Sequence, residues 1–162
     1  MDKLEKAYFS AGCFWGVESL FRGLNGVVDA KVGYMGGNTQ DPNYQEVCTG
    51  KTGHAETVMV LFDPIQLSYI ELLHNFWKCH DPSTLNRQGY DIGSQYRSAI
   101  FYTSEEQKLA AIESRSKLQN KFNEQGNKRT IVTLIEPEVN FYLAEEYHQR
   151  YLDKKGLNSC SL

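Results

Sequence analysis

Ala7-Tyr-Phe-Ser-Ala11 reads as a β-strand, Gly12-Cys13 as a turn, Phe14 to about Leu24 as a helix closed by Asn25-Gly26, and Val27 to Tyr34 as the next strand. This strand, glycine turn, helix, strand order decides the fold class, because the same alternation recurs along the chain. Glu56 to Phe62 is a strand ended by Asp63-Pro64. A helix follows whose apolar face is Tyr69, Leu72, Leu73, Phe76 and Trp77. Arg97 to Tyr102 returns to strand character, and Ser104-Glu-Glu-Gln107 opens a long helix in capping-box style, with Leu109, Ile112 and Phe122 on its inner face. Thr130 to Ile135 reads as a strand, Leu143 to Leu152 as a helix, and 153–162 as a polar, flexible tail carrying Cys160. The expected class is α+β or mixed α/β.

The 162 residues suit one domain, 1–162, and no repeat or low-complexity linker divides them. Hydrophobic residues make up 41%, and no apolar run approaches the roughly 20 residues of a membrane span. With 17 basic against 20 acidic residues and no basic stripe, nucleic acid is not an expected partner. Met1-Asp-Lys-Leu-Glu-Lys6 has no apolar core of a secretory signal, so the expected location is cytoplasmic. In a reducing compartment the cysteines at 13, 48, 79 and 160 are expected as thiols. Neither they nor the histidines at 54, 74, 80 and 148 fall into a zinc-ligand spacing, so no metal is expected.

Two long polar stretches, Met35 to Gly53 and the one ending near Gln95, are too long for simple connections and read as binding loops. Gly12-Cys13-Phe14-Trp15-Gly16 puts Cys13 at a helix N-terminus, where unpaired N–H groups and the helix dipole lower a thiol pKa. The alternative is a buried, inert thiol in a tight turn. Phe14 and Trp15 offer an aromatic wall beside the sulfur. Glu56 enters its strand directly after the first loop, as an acid or base or as a solvated strand-end charge. Tyr44 on the first loop is a hydrogen-bond donor or a packing residue, and Gly89-Tyr-Asp-Ile-Gly-Ser-Gln-Tyr96-Arg97 adds Asp91 and Tyr96. Cys160, in Asn158-Ser-Cys-Ser161, is either a dispensable tail thiol or a resolving cysteine able to reach a distant site.

Gly12-Cys-Phe-Trp-Gly16, Gly33-Tyr-Met-Gly-Gly37, Gly53-His-Ala-Glu56, His80-Asp-Pro82, Gln95-Tyr-Arg-Ser98 and Ala144-Glu-Glu-Tyr-His-Gln149 together resemble the peptide methionine sulfoxide reductase A family. The first and third of these segments in combination are the most specific. The resemblance implies a two-layer α+β sandwich with a mixed sheet and a ferredoxin-like core. It also implies thiol-dependent reduction of methionine-S-sulfoxide, free or in proteins, as repair of oxidative damage. By the same resemblance Cys13 is the nucleophile that becomes a sulfenic acid, and Glu56 the acid, with Tyr44 and Tyr96 as further donors. Phe14 and Trp15 cage the methyl group, and Asp91 lies close to the pocket. Cys160 closes an intramolecular disulfide that thioredoxin reduces, no cofactor is needed, and a monomer is expected. Two rivals remain from the residues alone. One is a cysteine hydrolase pairing Cys13 with His54 or His148, and the other a binding module without chemistry.

Overall fold

The computed structural model describes residues 3–156. Strand β1 (Glu5–Ala11) leads through Gly12 and Cys13 into helix α1 (Phe14–Arg22), and β2 (Val27–Met35) returns. The short α2 (Tyr44–Cys48) sits inside the first polar stretch. Next come β3 (Ala55–Phe62), α3 (Tyr69–Lys78), the hairpin strands β4 (Arg87–Gln88) and β5 (Asp91–Ile92), and a 3-10 turn at Ser94–Tyr96. Strand β6 (Ser98–Tyr102), helix α4 (Glu105–Glu124), β7 (Leu134–Pro137), β8 (Tyr142–Leu143), a 3-10 turn at Glu146–His148 and α5 (Tyr151–Lys154) complete the order. Six strands form one sheet in the order β7-β6-β1-β3-β2-β8. All neighbours are antiparallel except β6 and β7, so the sheet is mixed.

The period of two along each strand sorts the residues onto two faces. Ala7, Phe9 and Ala11 of β1, Ala30, Val32 and Tyr34 of β2, and Val58, Val60 and Phe62 of β3 turn to the face covered by α1 and α3. There Phe9 stacks on Phe21 at 5.0 Å between ring centroids and tilts against Phe76 at 5.3 Å. Burying each such side chain is worth about 1.5–3 kcal/mol. Tyr8, Met35, Ala99 and Phe101 form a smaller cluster. Glu56 shares the parity of Val58 and Val60, so its carboxylate points to the covered face instead of to solvent.

Several expected elements take other forms. Thr130 to Thr133 is not strand, because its backbone groups are taken by other partners: Ile131 N–H donates to Gln119 Oε1, Val132 N–H to the Pro82 carbonyl, and Arg115 reaches the Thr133 carbonyl. The sheet strand begins only at Leu134. The long helix buries Gln107 and Ala111, with Leu109 at 60% exposure and Ile112 at 36%, so its inner face is rotated from the expected one. Gln107 sets that phase by donating to the Lys6 carbonyl, and Ser114 by accepting the indole N–H of Trp77. Leu143 to Leu152 is not one helix. Gln149 instead completes the edge of β2, accepting from Val32 N–H at 3.0 Å and donating to its carbonyl at 2.9 Å. Arg150, at φ 55°, breaks the run in the left-handed region. Asp153 and Lys154 belong to α5, ahead of the tail, and Cys160 lies outside the described residues.

Candidate active site

The turn between β1 and α1 requires Gly12. Its φ is +92°, and a Cβ there would stand 2.9 Å from the side chain of Gln88. Cys13 follows as the helix N-cap, half-buried, a free thiol whose side chain caps nothing. Its pKa is not lowered. Burial pushes the thiol up to about 12 and the nearby Glu56 carboxylate adds to the push, while the N–H groups of Trp15 and Gly16 pull the other way without prevailing. The helix end acts as expected, but the packing around it outweighs it.

Glu56 is 2% exposed. Oε1 accepts from the Phe14 N–H at 3.1 Å, and Oε2 has no partner. Burial raises its pKa to about 8, against the Phe14 hydrogen bond and with a contribution from Asp91. At neutral pH the group is therefore a carboxylic acid, and since Oε1 is an acceptor its proton sits on Oε2. A protonated Glu56 also removes one of the charges that opposes a Cys13 thiolate.

The remaining expected residues converge on this pair. Tyr44, at the start of α2, faces the Cys48 thiol, and burial first and that neighbour second raise its pKa. Tyr96 is raised by burial and then by Glu56, Cys48, Asp91 and Cys13, the charges that its hydroxyl faces. Asp91, on the β4–β5 hairpin, acts on Cys13, Glu56 and Tyr96 alike. Phe14 is 1% exposed, with its ring 5.8 Å from Tyr34. Trp15 stacks on Tyr151 at 3.8 Å and 11°.

Three further residues join the site, Glu145 and Tyr151 without a role assigned from the sequence and His148 only as a possible partner of Cys13. His148 Nδ1 accepts the indole N–H of Trp15 at 3.0 Å, and its ring lies 4.3 Å from Tyr44 and 5.3 Å from Phe14. Glu145 accepts both the Tyr34 hydroxyl at 2.8 Å and the Tyr44 N–H at 2.9 Å, tying α2 to β2. Tyr151 backs the indole. For Glu145 and His148 the cue in the sequence is the segment Ala144 to Gln149. Neither histidine pairs with Cys13: His54 accepts from Gly37 N–H and donates to the Thr39 carbonyl, and His148 is held by Trp15. Cys13 thus forms no hydrolase-type pair with His54 or His148. Among the described residues no group of three His, Cys, Asp or Glu side chains converges as a metal would require.

The buried acid has a consequence for stability. Folded Glu56 keeps its proton up to about pH 8, whereas the ordinary carboxyl loses it near 4.5. Between these values the folded state binds more protons than the unfolded one, so stability falls as pH rises through this window. The slope is at most about 1.4 kcal/mol per pH unit. Glu56→Gln removes this contribution. In urea unfolding from pH 5 to 9 the variant gains on the wild type by a few kcal/mol, and parallel curves for the two proteins would contradict the assignment.

The chain matches the family model described as peptide methionine sulfoxide reductase over residues 5–162. It is 58% identical to the peptide methionine sulfoxide reductase MsrA of Methanothermobacter thermautotrophicus, over 100% of this chain and 94% of that protein. Among solved structures, methionine sulfoxide reductase A of Corynebacterium diphtheriae superposes with a TM-score of 0.89 at 40% identity, covering 96% of this chain and 76% of that one. Mxr1 of Saccharomyces cerevisiae in complex with Trx2 superposes with a TM-score of 0.63 at 30% identity, covering 92% and 85%.

Proposed function

The chain belongs to the peptide methionine sulfoxide reductase family and is an enzyme of the MsrA type, and from that premise we propose how its residues carry the reaction. The observation that carries the proposal is the pairing of a half-buried thiol, Cys13, with a buried acid that holds its proton at neutral pH, Glu56. The Cys13 sulfur attacks the sulfoxide sulfur. Glu56 gives its Oε2 proton to the sulfoxide oxygen and receives the thiol proton in return, so it acts as a relay with no net change. Tyr44 and Tyr96 donate hydrogen bonds to the oxygen as negative charge develops on it. Phe14 and Trp15 hold the methyl group, with Trp15 fixed by His148 and Tyr151. Asp91 borders the same pocket.

The oxygen then passes from the methionine sulfur to the Cys13 sulfur as the bond between the two sulfurs breaks, so methionine departs and Cys13 is left as a sulfenic acid. The Cys160 thiol condenses with it to a disulfide and releases water. A dithiol then takes up the disulfide and restores both thiols. The Mxr1 complex supports thioredoxin in this role, since Trx2 is a thioredoxin. In this reading one catalytic domain, 1–162, works as a cytoplasmic monomer without a cofactor and repairs oxidised methionine, free or in proteins. The inner strands, ordered β6-β1-β3-β2 with α1 and α3 between them in sequence, support a ferredoxin-like core in a two-layer sandwich.

The pocket also selects the configuration at sulfur. With the methyl held by Phe14 and Trp15 and the oxygen directed to Glu56 and the tyrosines, only one epimer presents its sulfur to Cys13, and the resemblance to the reductase A family implies that it is the S epimer. Reduction of the separated epimers, driven by dithiothreitol and followed by chiral chromatography, consumes S and leaves R. Equal rates on both would refute this arrangement of the pocket.

A further inference from the structure

Cys13 also lines a groove of about 690 Å3 that runs away from the turn between α1, α3 and the β4–β5 hairpin. Its walls include Val17 and Leu20 from α1, Cys79 at the end of α3, and Tyr90 on the hairpin, with Asp91 near Cys13 and Lys78 contributed by α3. The hairpin wall is fixed in place. Gln88 packs against Gly12, accepts from the Asp81 N–H at 2.9 Å and donates to the Asp81 carbonyl at 2.9 Å, so the groove exists before anything binds. Tyr90 is fully exposed, and Ile92, two residues on in the same hairpin, is 70% exposed. Lys78 is exposed and forms no ion pair among the described residues.

A peptide substrate brings main chain on both sides of its sulfoxide, and that chain must rest on surface continuous with Cys13. The groove is such a surface. Its walls of Val17, Leu20 and Tyr90 are apolar and match an apolar side chain next to the oxidised methionine. We propose that this groove is the subsite for the polypeptide flanking the oxidised methionine, seating an apolar side chain on Val17, Leu20 and Tyr90 and an acidic one at Lys78. The inference rests on the reading of Cys13 as the residue that meets the sulfoxide.

The test compares N-acetyl-methionine sulfoxide amide with three short peptides, in which the sulfoxide is flanked within two positions by Leu and Glu, by Leu and Lys, or by Ser alone. Dithiothreitol is the reductant, and kcat/KM is measured for the wild type, Leu20→Ser and Lys78→Glu. The wild type prefers the Leu and Glu peptide over the Ser peptide by about tenfold, the effect of one seated apolar side chain. Leu20→Ser removes most of that preference. Lys78→Glu inverts the choice between Glu and Lys, by about two- to fivefold, as suits an exposed charge. Neither variant changes the rate on the single amino acid. Equal kcat/KM across the peptides overturns the proposal, as does a variant that slows the single amino acid equally. So does a variant that slows only thioredoxin-driven turnover, which assigns the groove to the reductant. Failure of the wild type to reduce the single amino acid overturns the reading of the site itself, and is distinguishable from all of these.

Discussion

Cys13→Ser abolishes methionine sulfoxide reduction and leaves the fold intact. The Cys13 side chain makes no capping bond, and it meets the helix at the N-cap, where serine is among the preferred residues. The variant therefore melts at or slightly above the wild-type temperature. Its hydroxyl, by contrast, is a far weaker nucleophile than a thiol and is far harder to deprotonate, and neither His54 nor His148 pairs with it as a base. Activity falls by on the order of 10^4-fold or more. Dithiothreitol-driven assays, with circular dichroism to follow the fold, check both halves of the statement. Substantial turnover in this variant would remove Cys13 from the mechanism.

Glu56→Gln is slow without being dead. The amide still accepts from Phe14 N–H and still presents a donor where Oε2 stood, but it has no proton to transfer. Loss of a positioned acid costs about 10^2- to 10^4-fold. The pH profile separates this role from a merely structural one. In the wild type kcat/KM falls as pH rises through about 8, where Glu56 loses its proton and its charge begins to oppose the Cys13 thiolate. In Glu56→Gln that limb is absent and the rate rises with pH as the thiolate forms. A wild-type profile in the variant would show that another group is the acid.

Much of the site was legible in the sequence because its parts are local. The β1 to β2 unit is punctuated by Gly12 and by Asn25-Gly26, and its period changes cleanly from two to helical and back. Cys13, Phe14 and Trp15 occupy positions that follow from that turn alone. Properties that depend on other elements were not legible. The helix end above Cys13 predicts a lowered pKa, yet burial and Glu56, 43 positions away in sequence, raise it. Glu56 by itself reads more readily as a solvated strand end until its parity with Val58 and Val60 is fixed by the pairing of β3 with its neighbours. Helix α4 misled because its apolar residues do not define its phase. A glutamine and a serine bonded to other elements define it. The segment after Leu143 misled for a related reason, since Gln149 gives its amide to β2 and the backbone turns at Arg150. His148 stood in a recognisable segment, but its role was not legible, because it accepts from an indole more than a hundred residues earlier.

The central claim is that Cys13 takes the oxygen. The most direct measurement adds one equivalent of methionine-S-sulfoxide to the reduced enzyme without reductant, quantifies methionine, and maps the cysteines by peptide mass spectrometry. The same is done with Cys160→Ser in the presence of dimedone. The account predicts about one methionine per enzyme in both, with a Cys13 to Cys160 disulfide in the wild type and a dimedone adduct on Cys13 in the variant. A disulfide from Cys13 to Cys48 or Cys79 would reassign the second thiol. Methionine formed at full yield while Cys13 remains an unmodified thiol would contradict the account.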